Sequence, residues 1–567
     1  MLRPRHLLPL LLAALVRSAL AAVAPAPTIA TLSMPGDPRF VAIARDVLLV
    51  QTADTPDFAA QAGLVDDAVH VPSFTPERRA ALTRRLRDDM ARLRALPWRK
   101  WSVDEQIDVR WVYANAQRID RELNVEQLWR HRPGAWLESL ANDYIAILTV
   151  APTRADALAA ITHQVPGMVD EMSASCRPTQ VDAEIAQGLI DGIVAMLKSN
   201  PGTSPADADA AIAALTAYRA KLASTAGAPT SVVIGARNYA WRLRHAELLP
   251  WTPAALLALA QHDIDVVEPQ LAMLRAGLPP VAPLSPELEQ RAVDLDQASL
   301  LALYDDIQVR NRAAIDEAGF VTIPAAVGPV HARVTPDAMV PLTGDGGSMN
   351  PPPPFLADAT GWWNVEHFDP KMKLADRETD VREAALFRET DMGPYAAHEG
   401  LPGHHLQLSL ARLNPDPLRN LFQDPVQNEG WALYAESEMW EQGGLGASPQ
   451  AHVEMLDSWL FRMRRVVYDV NVETGAWTLQ QASDWKAHKK PGEAPIGTDV
   501  KRAVNWPGQL ICYFAGKEQI LALKADYRRK LGAQYSERRF NDELLALGSV
   551  PYVFARAKML GERVPGF

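Results

Sequence analysis

His398-Glu399-Gly400-Leu401-Pro402-Gly403-His404-His405 is the stretch on which the reading of this 567-residue chain turns. It sets a carboxylate beside one imidazole and brings two more imidazoles close behind. Neutral ring nitrogens to hold a metal, and a base for its water, are the groups a hydrolytic zinc site needs. The spacing departs from the usual His-Glu-x-x-His helix, because Pro402 stands where the second histidine belongs. On an unbroken helix His405 would share the face of His398 about 10.5 Å further along, and His404 would point about 120° away. Pro402 opposes an unbroken helix, since it cannot donate to the carbonyl of His398 and its ring clashes there. Gly403 adds freedom for a bulge. A bulge that absorbs two residues moves His404 into the i+4 role. Pro-Gly therefore argues for His404 and unbroken periodicity for His405, and His404 is favoured.

A third ligand is expected downstream, in Asn428-Glu429-Gly430-Trp431-Ala432-Leu433-Tyr434-Ala435-Glu436. Glu429 and Glu436 are seven apart, so both face the same way on a helix. Glu429 is preferred because Gly430 permits close approach to the first helix. Water then takes the open fourth position, and Glu399 serves as its base and proton shuttle.

Outward from the motif, the bulk numbers are those of a large soluble protein. The chain is 48% hydrophobic with a net charge of −11. No basic stripe stands out, so nucleic acid is not expected as a partner. Arg3, Arg5 and His6 precede an apolar run, Leu7 to Val16, too short to span a bilayer. Ala19-Leu20-Ala21 follows as a small-x-small cleavage site, so residues 1–21 read as a signal peptide for periplasmic or secreted delivery. No later run is long and apolar enough to span a membrane. Cys176 and Cys512 could form one disulfide or remain two buried thiols; neither belongs to a Cys-x-x-Cys zinc motif.

Helical signals dominate. Thr75-Pro76, Ser204-Pro205, Thr252-Pro253 and Ser285-Pro286 each pair an N-cap residue with proline at the first helical position. They open helices within 73–96, after 205, through Leu271, and to about Ala318. Thr230 to Ile234 and Val321 to Val334 are weak strand candidates, and Gly361-Trp362-Trp363-Asn364 could enter another. Gly344 to Gly347 and Pro351 to Pro354 make a loop that is either a domain linker or part of an active site. The expected division is a helical region over 22–340 that roofs a cleft and a catalytic helical region over 341–567.

His398 to Gln407 resembles the His-Glu-x-x-Pro-Gly-His-x-x-Gln signature of bacterial domain-of-unknown-function family 885. Glu429-Gly430-Trp431-Ala432-Leu433-Tyr434 is similar to its Glu-Gly-Trp-Ala-x-Tyr segment. Trp506-Pro507-Gly508-Gln509 with Tyr513 and Gly516 is similar to its Pro-Gly-Gln-x-x-x-Tyr-x-x-Gly segment, and Phe540 to Pro551 to its closing helix and turn. These matches run in order over about 361–558; upstream only helical character agrees. The resemblance implies a mainly α, gluzincin-like metallopeptidase fold with a few short strands near the cleft. It implies one zinc ion per chain on His398, His404 and Glu429, with Glu399 as base and Tyr513 as oxyanion or substrate donor. Gln407 reads as helix support. The family's Asp-x-Gly-x-His segment reads Asp469-Val470-Asn471-Val472-Glu473 here, so Glu473 replaces a histidine and specificity or rate could differ. Arg464 and Arg465 could each pair with a substrate carboxylate or form ordinary salt bridges. The expectation is a zinc hydrolase of short peptides. The alternatives are a hydrolase of other small amides with the same site, and a helical binding protein with a degenerate one.

Overall fold

Ser and Thr side chains that cap helix starts, each followed by proline, explain much of the architecture seen in the computed structural model. It describes residues 26–199, 202–224, 229–390, 392–442 and 448–567. The expected signal segment lies outside the described residues. Fourteen of the chain's helices build much of the cores and the site. In the first half they are α1 (Pro38–Asp54), α2 (Pro76–Ala95), α3 (Val103–Arg121), α4 (Pro133–Val150), α5 (Ala155–Ser175), α6 (Gln180–Lys198), α7 (Pro205–Leu222), α8 (Pro253–Ala276) and α9 (Gln297–Ala318). Around and after the motif come α10 (Met392–Glu399), α11 (His404–Arg412), α12 (Pro425–Glu441), α13 (Pro449–Glu473) and α14 (Cys512–Leu531). Thr75 and Thr252 accept from the backbone N–H groups of Arg78 and Ala255, as an N-cap should.

The helix expected from Ser285-Pro286 to about Ala318 is two helices. Pro286–Val293 stops, and α9 begins after Asp296. Asp296 accepts from Ser299 N–H, while Ser299 Oγ accepts from Asp296 N–H. This reciprocal cap satisfies donors that a continuous helix would have used, so the chain restarts.

Strand is sparse and lies near the motif. β1 (Val330–Val334) pairs parallel with β3 (Gly361–Val365), and β2 (Ser348–Asn350) pairs antiparallel with β3, in the order β1-β3-β2. The sheet crosses the division expected near residue 340. Only the last five residues of the 321–334 candidate form a strand; Thr322 instead binds the Asp542 side chain. The 230–234 candidate forms none. Its backbone is satisfied at helix ends, with Ile234 N–H donating to Glu473 and Val181 N–H donating to Thr230.

One hydrophobic core runs from Ile29 to Val564, with Trp363, Trp431 and Phe320 inside it. A second core belongs to α4–α7 and includes Trp136, Leu140, Ile161, Ile190 and Leu215. Cys176 and Cys512 are separate buried thiols.

Candidate metal centre

The motif does not bulge a continuous helix; it breaks one. α10 ends at Glu399 and α11 begins at His404, with Gly403 as its N-cap. A β-carbon on Gly403 would overlap the carbonyls of Ala397 and His398, so the restart is packed against the turn it leaves, where only glycine fits. Three side chains hold this corner. Gln308 Oε1 accepts from Leu401 N–H at 3.1 Å, Asn311 Nδ2 donates to the Leu401 carbonyl at 3.2 Å, and Trp431 Nε1 donates to the Pro402 carbonyl at 2.8 Å.

The break separates the two neighbouring histidines. His404 faces His398, with ring centroids 4.7 Å apart and planes nearly perpendicular. His405 turns away into the core. It is fully buried, its Nε2 bonds the Gly328 carbonyl at 2.9 Å, and its ring fills the space a side chain on Gly361 would occupy. The continuous-helix alternative, with His405 beside His398, is thereby overturned.

α12 brings in both glutamates. Glu429 Oε2 lies 3.3 Å from His404 Nε2 and 3.6 Å from His398 Nε2. One nitrogen from each histidine and one carboxylate oxygen from Glu429 all fall within 4.8 Å of one another. Glu436, two turns on, accepts from His398 Nδ1, and its other oxygen accepts from Ser458 Oγ at 2.8 Å. Glu436 thus fixes which His398 nitrogen faces the cluster, as carboxylates do behind metal-bound imidazoles.

The close approach at Gly430 is to a different helix than expected. A β-carbon there would overlap Gly516 Cα on α14, and one on Gly516 would overlap the Val426 carbonyl. α12 and α14 therefore cross backbone to backbone, which sets Tyr513 of α14 beside the histidines. Its ring lies parallel to His398, 6.2 Å between centroids, and Gln509 Nε2 sits 3.5 Å from both Tyr513 Oη and Glu429 Oε1.

Electrostatically the cluster calls for a cation. Burial alone would push the Glu429 carboxyl up, but the two imidazoles outweigh that and hold it far below the usual range. Burial disfavours the His398 imidazolium, yet Glu429 and Glu436 beside it raise its pKa to about 10. Glu429 Oε2 is buried, and no well-aligned donor among the described residues reaches it. A divalent ion would displace the His398 proton, and two imidazole nitrogens with a carboxylate oxygen would suit zinc or a similar ion. The residues present fit one metal. Burial pushes the Tyr513 hydroxyl up to about 12, so it stays a donor at neutral pH.

Glu399 and His404 line a cavity of about 250 Å³ with Glu429, Met349 and Pro351. The Gly344–Pro354 segment is thus part of this cavity wall. Gln407 is buried and donates to Gln427 and Asn428 at 2.7 and 2.8 Å, bracing α11 against α12. Arg464 pairs with Glu268 and Arg465 with Asp499, so both sit in ordinary salt bridges. Glu473 is buried against Ile234 N–H and within reach of the Arg132 charge, and it is not among the residues lining the metal-site cavity. Sequence reasoning missed Ser458, Gln509, Met349 and Gln423. Gln509 stood in a quoted motif, whereas nothing in the sequence ties Ser458 to Glu436.

Fold and site together define a mainly helical protein with a His-His-Glu cluster able to hold one metal ion at a cavity wall. The chain belongs to the family described as bacterial protein of unknown function (DUF885), whose profile matches residues 56–559. Two solved structures share the fold. A candidate lipoprotein of unknown function from Shewanella oneidensis is 19% identical with a TM-score of 0.70, covering 92% of this chain and 99% of that one. One from Colwellia psychrerythraea is 16% identical with a TM-score of 0.65 and the same coverage. No curated protein matches the chain. Among the described residues, no helix is long and apolar enough to cross a membrane.

Proposed function

We propose that this protein is a metal-dependent hydrolase of amide bonds, acting on short peptides outside the cytoplasm. The observation that carries the reading is the convergence of His398, His404 and the buried Glu429 Oε2 on one point, with His404, Glu429 and Glu399 on the wall of one cavity. A divalent ion held there, zinc being the best match to the donors, would polarise a scissile carbonyl and acidify water. Among the described residues, Glu399 is the only other carboxylate on that cavity wall. In this reading it takes the proton from the attacking water and returns it to the leaving amine. Glu436 holds His398 in one tautomer, and Tyr513 donates to the oxygen on which charge builds. The gluzincin-like character of the site belongs to this proposal, as does the extracytoplasmic setting, which the signal-like N-terminus and the two lipoprotein-like structures support.

The test is a peptidase assay with purified protein. Activity should vanish with a chelator and return with zinc. Glu399→Ala should lower turnover by about 10²–10⁴-fold, the usual contribution of a general base. Activity unchanged in Glu399→Ala would sink the reading.

A further inference from the structure

Beside the metal centre lies a larger chamber of about 620 Å³. It adjoins the metal-site cavity: Met349, Pro351, Leu408 and Gln423 line both. Its polar lining is almost wholly uncharged and rich in side-chain amides, among them Gln51, Gln61, Asn115, Asn142 and Asn420. The two charged groups that reach it are already engaged. Arg118 donates to Glu122 and Gln51, and Asp57 accepts from Ser139 and Asn142. Asn420 differs. It is only 4% exposed and lines the chamber, yet no donor among the described residues reaches its Oδ1. A buried acceptor without a partner costs free energy, so a donor that reached it would be favoured.

We propose that this chamber is the substrate arm of the site and that it takes a short stretch of peptide backbone with uncharged side chains. The proposal rests on the hydrolase reading for its purpose, though not for its geometry. A peptide unit brings one donor and one acceptor, which matches a wall of amides, and a rotation of the Asn420 amide would offer its buried oxygen to a peptide N–H. A carboxylate side chain would shed water here without gaining a counter-ion, and an ammonium would meet only the buried Asp57, already hydrogen-bonded to Ser139, Asn142 and Gln61. Phe58, Ile145, Ala146 and Leu421 give small apolar side chains a surface. Gln423 stands where the arm meets the metal-site cavity, so a chain lying in the arm continues toward His404 and Glu429.

Calorimetric titration of Glu399→Gln protein, chosen to suppress turnover, tests this. The probes are N-acetyl-tetra-alanine amide, its tetra-glutamate and tetra-lysine counterparts, and chitotetraose. The alanine peptide should bind, and the charged peptides should bind at least about tenfold more weakly. Asn420→Leu should weaken the alanine peptide about tenfold, the worth of one buried hydrogen bond. Thr149→Trp covers the case in which that variant misfolds. The Thr149 hydroxyl bonds only its own helix at Ile145, and a tryptophan there would fill the chamber and abolish binding. Equal binding of the charged peptides, binding untouched by Thr149→Trp, or binding of chitotetraose alone would overturn the proposal. Metal content measured on the same samples separates the two readings. Peptide binding by a wild-type protein that takes up no metal would sink the hydrolase and leave the arm, whereas metal without peptide binding would sink the arm alone.

Discussion

His404 and His405 are chain neighbours with opposite surroundings, and this difference can be measured. His404 turns its Nε2 to Glu429, while His405 is packed on Gly361 and bonded to Gly328. His404→Ala should abolish metal uptake with little change in melting. His405→Ala should keep one metal per chain and lose about 2–4 kcal/mol of stability, from a cavity plus a lost hydrogen bond. Elemental analysis and denaturant unfolding read both, and the opposite pattern would restore the continuous-helix arrangement. Glu436→Gln should weaken metal affinity about 10–100-fold, read by competition with a chelating dye, because the carboxylate behind His398 Nδ1 loses its charge. Unchanged affinity would remove Glu436 from the site's support. At this scale the sequence was informative wherever spacing alone decides. Seven residues put Glu429 and Glu436 on one face, and Pro-Gly argued against an unbroken helix. Glu429 was preferred over Glu436 for the glycine beside it, yet Gly430 packs on α14, and which glutamate meets the histidines depends on how far α12 slides past α10.

The crossing of α12 and α14 is the element on which the site depends. Gly430 and Gly516 let the two backbones touch, and the residue before Gly430 is Glu429. Gly430→Ala places a methyl against Gly516 Cα, where backbone, and not a flexible side chain, must yield. The helices should part at a cost of about 3 kcal/mol, the upper part of the range for overpacked cores, and metal affinity should fall with it. A variant with wild-type melting and metal content would show that the crossing has slack. Helix starts were legible in the sequence because Ser/Thr-Pro chemistry acts within one turn. The stop at Val293 hides in the same kind of local signal, the Asp296–Ser299 box, which the longer periodicity masked. Gly430 announced a close approach but not its partner, since small residues say that a backbone is near and not which one.

Across the whole molecule, the main core and the α4–α7 core together decide how the cleft is built. The Gly-Pro segment after residue 343 read equally as a domain linker or an active-site loop; β1 and β3 pair across it, and Met349 and Pro351 within it line the metal-site cavity. The separate packing unit lies further upstream, in α4–α7, and composition gave no hint of it because both cores draw on the same apolar residues. α4 carries Asn142 and Thr149 into the chamber wall, so this lobe forms one side of the proposed arm. One of its attachments is Asp57, which accepts from Ser139 and Asn142 of α4. Burial raises the Asp57 carboxyl from 3.8 to about 6, and these hydrogen bonds offset only part of that. A carboxyl raised in the folded state favours folding fully below its unfolded pKa, and that contribution is lost as pH climbs through about 6. Its ceiling is about 3 kcal/mol, from a little over two pKa units. Glu138 of α4, pushed by burial to about 7, acts in the same direction. Hydrogen exchange corrected for intrinsic rates should therefore show α4–α7 opening as one unit, at lower free energy than α12 and α14, and more readily at pH 8 than at pH 5. Asp57→Asn removes the Asp57 titration and should flatten much of that pH dependence while the main core stays protected. If the lobe opens with the same pH dependence in wild type and Asp57→Asn, this buried carboxyl does not tie the lobe to the rest of the fold.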